Sequence, residues 1–511
     1  MALNNILFNL GQGGLGRPLP GQDYISGLIF YTGSLPSGFN SSNRIKQIFS
    51  VADAEALGIK ADYSDETKAT STYTNTAIGT NGDTVTLAVN EPFGKTVTIG
   101  VYTKTAAETT TTLVAAAIAA AINAGTLTHG YTAVAAVAVV TITARPGLGI
   151  GINTGSNLVA TYSASATLAG TLAQFTGGAG SKQAVWHYHI AEFFRIQPQG
   201  TLYLGFFAIP GSYTFSEITT LQNFSNGLIR QVGIYKDSAA YAAGDVDAID
   251  TQCKALVAAH KEIIALYAAD MALVSDVTTL ADLSARTSNT CSVVIGQDGA
   301  ALGAALYYAY GKSITTLGAA LGAVALASVN ESIAWPAKFN ISNGTECDVP
   351  AFANGVLYSA STVTDNYLST LQNLRYIFLR KFVGYAGTYF NEESSAIVGS
   401  SDYAFISANR TIQKATRGVY KAMVPALNSP IILNSDGTIS DISIAYFTGL
   451  AESNLIQMQR DGELSAQKVA ISPVQNVAST GKIIISASLV PTGTARNIVV
   501  NIGFNVKISG S

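Results

Sequence analysis

Residues 201–209, TLYLGFFAI, open a stretch in which apolar runs recur: RQVGIY at 230–235, IIALYA at 263–268 and CSVVIG at 291–296. Between and after them lie segments of helical spacing, Phe215–Gly227, Asp245–Lys261, Thr278–Arg286 and Ala300–Tyr310. A strand–helix alternation of this kind predicts a largely parallel sheet covered by helices. The α/β core so defined spans 183–360. Its first piece lies at 23–66, where Tyr24–Tyr31 reads as one more strand.

Downstream, residues 361–485 are more helical and read as an α+β C-terminal domain, with Tyr367–Phe378 and Asn409–Val424 the clearest helices. The tail, 486–511, returns to strand. Lys482–Val490 is followed by a turn at Pro491-Thr492-Gly493 and a final strand, Asn497–Ile508, carrying Ile498, Val499, Val500, Ile502, Phe504 and Val506. Upstream, residues 1–22 read as an arm. A short strand with Ile6, Leu7, Phe8 and Leu10 leads into glycines including Gly13, Gly14 and Gly16, then Pro18 and Pro20-Gly21, which do not pack as regular structure.

Residues 67–182 differ from their surroundings. They are rich in Thr, Ala and Gly, with six charged side chains between 69 and 181. Thr84–Val89 alternates like a half-buried strand, Thr96–Tyr102 reads as a second and Ala133–Ala144 as a third. Thr109–Ala124 reads as a helix with Val114, Ile118 and Ile122 on one stripe. Gly177–Ser181 then forms a hinge back into the core, so the segment reads as a separate α+β domain inserted in a loop.

Composition narrows the function. A chain of 511 residues suggests three or four domains, and 29 Lys+Arg against 32 Asp+Glu gives a net charge of −3. That balance does not point to nucleic acid. Charged residues are 12% of the chain, against about 25% in an average soluble protein. The mean hydropathy of +0.29 raises the question of a membrane, but the longest apolar helical stretches, Leu113–Ala124 and Leu317–Val329, fall short of the ~20 residues a span needs. The first residues also lack the basic region and cleavage site of a signal peptide. A weakly charged surface is best accounted for by burial against other subunits in a many-copy assembly. Cys253, Cys291 and Cys347 have no metal-type spacing and read as buried free thiols.

The motifs that suggest chemistry are weak. Gly311-Lys312-Ser313 resembles the end of a phosphate loop, but Leu306 stands where the upstream glycine belongs. His187 and His189 would share one strand face, yet a zinc site needs three or four ligands. Asp245, Asp247 and Asp250 mimic a calcium loop but lack its closing glutamate and read as a helix N-terminus. No nucleophile elbow is present. The sequence therefore predicts no catalytic residue, metal or cofactor. The positive signal is the pair of tethered terminal strands, whose open backbone groups suit completion of a neighbour's sheet. Pairing of each end within its own chain fits the same pattern.

Asn409-Arg410-Thr411-Ile412-Gln413-Lys414-Ala415-Thr416-Arg417-Gly418-Val419-Tyr420 resembles a helix of contractile phage tail sheath proteins. As in that family, Leu427-Asn428-Ser429-Pro430 and Asp436-Gly437-Thr438-Ile439 follow, and Val490–Ile498 is similar to the family's C-terminal hairpin. Gly14–Arg17 with Pro20–Asp23 resembles a phage-associated branch. The 67–182 insertion resembles a decoration domain, down to the Ile122-Asn123-Ala124 that ends its helix.

The resemblance implies stacked six-fold rings around an inner tail tube protein, docked on baseplate and tail terminator proteins, in a virion tail assembled in the host cytoplasm. Contraction would drive the tube through a bacterial envelope without a nucleotide. Arms 1–22 and 486–511 would be shared between subunits and hinged at Gly13, Gly14, Gly16, Pro491 and Gly493. The helix-like stretch Tyr446–Asp461 would meet the tube through Asn454, Gln457, Arg460 and Asp461. A static surface array shares the composition, and a hydrolase built on the central α/β domain is a third reading.

Overall fold

The computed structural model describes residues 22–504. The chain divides into two contact units. One runs to Leu326 and resumes over Ile333–Ile406; the other takes Ala327–Ser332 and continues from Ser407.

In chain order the larger unit holds β1 (Ile25–Tyr31), β2 (Ile45–Ile48), β3 (Thr70–Ile78), β4 (Thr84–Asn90), β5 (Thr96–Thr103), β6 (Thr132–Ala136) and β7 (Val139–Thr143). It continues with β8 (Leu158–Tyr162), β9 (Leu168–Thr176), β10 (Thr201–Phe207), β11 (Gln231–Ala240), β12 (Ile264–Asp270) and β13 (Cys291–Val293). The main sheet has the order β13-β12-β11-β1-β10-β2. All its pairings are parallel except that of the edge strand β2. The apolar runs at 201–293 thus supply four of six strands. The centre is taken by β1, whose seven residues are all buried and which pairs with β10 on one side and β11 on the other.

The longer helices of this unit are α1 (Thr111–Ala124), α2 (Lys182–Ile196), α3 (Glu217–Phe224), α4 (Ala243–Ala258), α5 (Leu302–Tyr310), α6 (Leu317–Leu326) and α7 (Asp365–Asn373). Helix α6 is buried through nine of its ten residues, and it crosses α2 so closely that a Cβ on Gly318 would stand 2.1 Å from the His189 carbonyl oxygen. Residues 361–406, read from sequence with the C-terminal domain, contribute Leu371, Tyr376, Phe378 and Ala396 to the main core.

Several elements differ from their sequence readings; among them, the helix read at Tyr367–Phe378 runs Asp365–Asn373. Thr278–Arg286 is two short 3-10 turns, because Asp276 and Asp282 accept from the Thr278 and Ser284 amides and each starts a separate turn. Ala133–Ala144 is a hairpin, β6–β7, turning at Val137 with φ of 53°. A valine there carries no turn signal. After Val293 the run at 291–296 leaves the main sheet, and Gly296–Asp298 pairs with Pro350–Phe352.

The insertion is closed at its neck by a bridge between Thr67 and Ala179, with reciprocal hydrogen bonds of 3.0 and 2.8 Å. Its two sheets, ordered β6-β7-β3-β9 and β5-β4-β8, share a core with Val114, Ile118 and Ile122 of α1. All six of its charged side chains are engaged internally. Asp83 accepts from the amides of Thr80, Thr167 and Leu168 at 2.8–2.9 Å. Glu91 takes Arg145 at 2.6 Å, Tyr131 at 2.9 Å and Lys95 at 3.4 Å. Lys104 reaches Asn81, and Glu108 caps the Thr105 amide. The domain seats on α5 through glycines: a Cβ on Gly151 would lie 2.3 Å from the Tyr308 ring, and one on Gly180 2.5 Å from the Ala309 carbonyl oxygen.

The smaller unit comprises α8 (Ile406–Met423), α9 (Asp441–Arg460) and the hairpin of β14 (Leu464–Ile471) with β15 (Ile485–Pro491). Ala415, Ala451, Leu455, Met458, Leu464 and Val469 form its core. Ser440 caps α9 by accepting from the Ser443 amide.

Candidate assembly surface

The hairpin β14–β15 is a two-stranded sheet. Gln475 holds the start of β15, pairing with both the N–H and the C=O of Ile484 at 2.7 and 2.9 Å. At the other end, Ser465 donates to the Pro491 carbonyl and Thr492 to that of Gly462, at 3.1 and 2.8 Å. Pro491 therefore closes the strand opposite Leu464, not the turn after it; a strand's last residue is a position where a missing N–H costs nothing. Gly493, with open space around it, is the first glycine beyond that anchor.

From Asn497 to Phe504 the chain forms no strand and bonds to none of the described residues. Ile498, Val499, Val500, Ile502 and Phe504 are each 74% exposed or more. Over 497–504, the strand expected here thus finds no partner among the described residues. Val506, together with Ile6, Leu7, Phe8, Leu10, Gly13, Gly14 and Gly16, lies outside the described residues.

The four residues expected to face a tube sit at the C-terminal end of α9. Gln457, Arg460 and Asp461 are exposed, and Gln457 donates to Asp461 at 2.8 Å. Asn454 is turned inward and fills the space over Gly418 of α8, where a Cβ would stand 1.8 Å from its Nδ2. At the other end of α9, Ile442 and Tyr446 are exposed one turn apart. The sequence reading did not single them out, although their i, i+4 spacing is visible there.

Most of the residues that hinted at chemistry are engaged by other groups of the fold. In doubly wound sheets, ligands bind beyond the carboxyl ends of the strands. Here the ends of β11 and β12 hold a buried Lys236–Asp245 ion pair at 2.5 Å, with Tyr267 also donating to Asp245. Tyr310 donates to Asp237, whose carboxyl burial pushes up in pKa. Lys312 pairs with Asp270 at 2.7 Å, and Ser313 donates to Ala353 O at 2.6 Å. Gly311 is the left-handed cap of α5 at φ 68°. Asp247 takes Arg286, and Asp250 takes Lys254 at 2.7 Å.

His187 and His189 stand on helix α2, not a strand, where two positions are about 200° apart and face different ways. His187 lies 3.0 Å from Glu55. His189 is buried without a hydrogen-bond partner among the described residues, and desolvation brings its pKa down to about 3. Among the described residues no group of three or more His, Cys, Asp or Glu could hold a metal. All three cysteines are buried and free.

Models of the two DUF2586 domains match this chain, the N-terminal domain over residues 3–394 and the C-terminal domain over 402–509. The chain belongs to the DUF2586 family. A comparison with curated proteins finds no match. Among solved structures, the chain is similar to one from the anti-feeding prophage helical sheath in its contracted state, with 16% identity and a TM-score of 0.43 over 62% of this chain and 81% of that one. It is also similar to a chain of the six-fold symmetrised baseplate of the same prophage, with 14% identity and a TM-score of 0.41 over 63% and 80%.

Proposed function

We propose that this chain is a structural subunit of a contractile, phage-tail-like machine, polymerising around an inner tube as a sheath and docking on baseplate and terminator proteins. The observation that carries the reading is the exposed apolar segment 497–504, which leaves an anchored hairpin and pairs with no strand among the described residues. Burying one such side chain fully contributes roughly 1.5–3 kcal/mol, so several together favour capture by a second copy. A strand given to the next copy, which gives its own onward, makes a heterologous contact that need not close, and so builds rings or helices.

The remainder follows from the sequence resemblance. Subunits move nearly as rigid bodies between a metastable extended packing and a shorter one, with the energy stored at assembly behind a kinetic barrier. No cofactor enters. Arms 1–22 and 486–511, flexing at their glycines, keep neighbours linked, and Gln457, Arg460 and Asp461 meet the tube. The place of action is the virion tail.

Negative-stain electron microscopy of the purified chain tests this. Hollow tubes or stacked six-fold rings support a sheath. Flat lattices mean a static array, and discrete monomers overturn polymerisation through the tail.

A further inference from the structure

The segment 341–349 forms a strap across the start of α5. Its ends are held through backbone carbonyls: Arg195 of α2 donates to Ile341 O at 2.9 Å, and the Gly299 amide donates to Val349 O at 2.7 Å. Between them, two carboxyls make the fastening. Asp298 accepts from the strap at Cys347 N, at 3.1 Å, and from the amides of Ala301 and Ala304 at 2.8 and 3.2 Å. Glu346 reaches out of the strap and accepts from the Leu302 amide at 3.2 Å, and the Gly303 amide also bonds to it. Residues 343–345, which lead up to Glu346, are exposed.

The charges at this fastening do not balance. Glu192 of α2 lies near both carboxyls, but its oxygens take Arg195 at 2.8 and 2.6 Å, so that guanidinium is already paired. Tyr188 of α2 adds no charge. It is 2% exposed, its hydroxyl has no hydrogen-bond partner among the described residues, and a Cβ on Gly303 would stand 2.8 Å from that oxygen. The Cys347 thiol is pushed up in pKa by burial, and Asp348 accepts from the Gly344 amide at 3.2 Å. Asp298 and Glu346 are therefore held by amides alone. Both oxygens of Asp298 are engaged, whereas Oε2 of Glu346 is buried with no partner among the described residues. Two neighbouring carboxyls do not readily ionise together, and the shared proton belongs on the oxygen that no N–H holds. Burial, with the charges of Asp298 and Glu192, pushes the Glu346 carboxyl from 4.5 up to about 6.

We propose that the strap 341–349 is a pH-sensitive clasp on α5, closed while Glu346 carries a proton and loosened when Glu346 ionises beside Asp298. A carboxyl with a higher pKa in the closed form favours closure fully below its open-form value. That preference is lost as pH rises through the closed-form value. With 4.5 for the open and about 6 for the closed form, the open fraction should rise about 30-fold across the whole window. This inference stands independently of the sheath reading.

Hydrogen exchange of the full chain, corrected for the intrinsic effect of pH, tests it. Peptides covering Leu302, Gly303 and Cys347 read the clasp, and α6 serves as the reference. Between pH 5 and 7.5 protection at the clasp should fall about eight-fold, with a midpoint near pH 6, while α6 is unchanged. Glu346→Gln keeps an acceptor for the Leu302 amide and removes the charge, so its protection should stay level across the same range. An equal fall in wild type and Glu346→Gln would overturn the proposal. Should the variant fail to fold, the wild-type series decides: a flat profile, or a fall that α6 shares, overturns the clasp.

Discussion

The insertion and the C-terminal hairpin are both built from short strands with many small and apolar residues, yet they treat their polar and apolar groups in opposite ways. In the insertion, six charged side chains are engaged internally, and side-chain amides pair with the backbone of Ala133 on β6 and of Leu158 on β8. In the smaller unit, β14 and β15 pair only with each other among the described residues, and an exposed apolar segment follows. Similar strand content thus goes with internally engaged polar groups in one region and an exposed apolar segment in the other. What separates them is where carboxamides and unpaired apolar residues fall, not the fraction of strand.

The largest expected effect removes that asymmetry. Deleting 497–511 should abolish ordered polymers in electron micrographs while leaving a monomer with wild-type circular dichroism. Excising 70–180 with a short linker, which removes the neck bridge of Thr67 to Ala179 along with the domain, should leave polymers of the same helical order. Intact tubes from the first deletion, or none from the second, would break the comparison.

The next effect sharpens the closed character of the larger unit. Lys236 and Asp245 are both buried, so Asp245→Ala strands an ammonium in the core and should cost about 3–5 kcal/mol, read as a lowered urea midpoint. Smaller is the effect of His189. Neutral in the folded state with a pKa of about 3, against 6.5 when free, it contributes stability that is complete above pH 6.5. That stability is lost as pH falls toward 3, by up to about 1.4 kcal/mol per pH unit. Urea titrations at pH 7, 5 and 4 should show this decline in the wild type and a flatter one in His189→Leu.

Much of this was legible in the residues. The runs at 201–293 marked β10 to β13, and the Val114–Ile118–Ile122 stripe marked α1, because apolar contrast was strong. Strands β3 and β9 were not visible: TSTYTNTAI and LAGTLAQFT alternate threonine and alanine with little difference in hydropathy. Nor could the sequence place β1 between β10 and β11, since that pairing joins residues about 170–200 positions apart in the chain. At the candidate surface, the alternation of Ile498, Val500, Ile502 and Phe504 was plain. The inward turn of Asn454 was not, because what it fills is the absent side chain of Gly418, 36 residues earlier.

That contact frames the smallest effect, within the open unit itself. Two helical glycines there, Gly418 and Gly449, look alike in sequence. A Cβ on Gly418 would collide with the Asn454 amide at 1.8 Å, whereas nothing stands within 4 Å of one on Gly449. Gly418→Ala must displace Asn454 from between α8 and α9 and should destabilise by about 1–3 kcal/mol. Gly449→Ala meets open space on a helix and should stabilise by roughly 0.5–1 kcal/mol, since alanine loses less freedom on becoming helical. Denaturant midpoints moving in opposite directions would confirm that Asn454 is a packing residue. If Gly418→Ala were neutral, Asn454 would be free to swing outward, and its place beside Gln457, Arg460 and Asp461 on the exposed end of α9 would be restored.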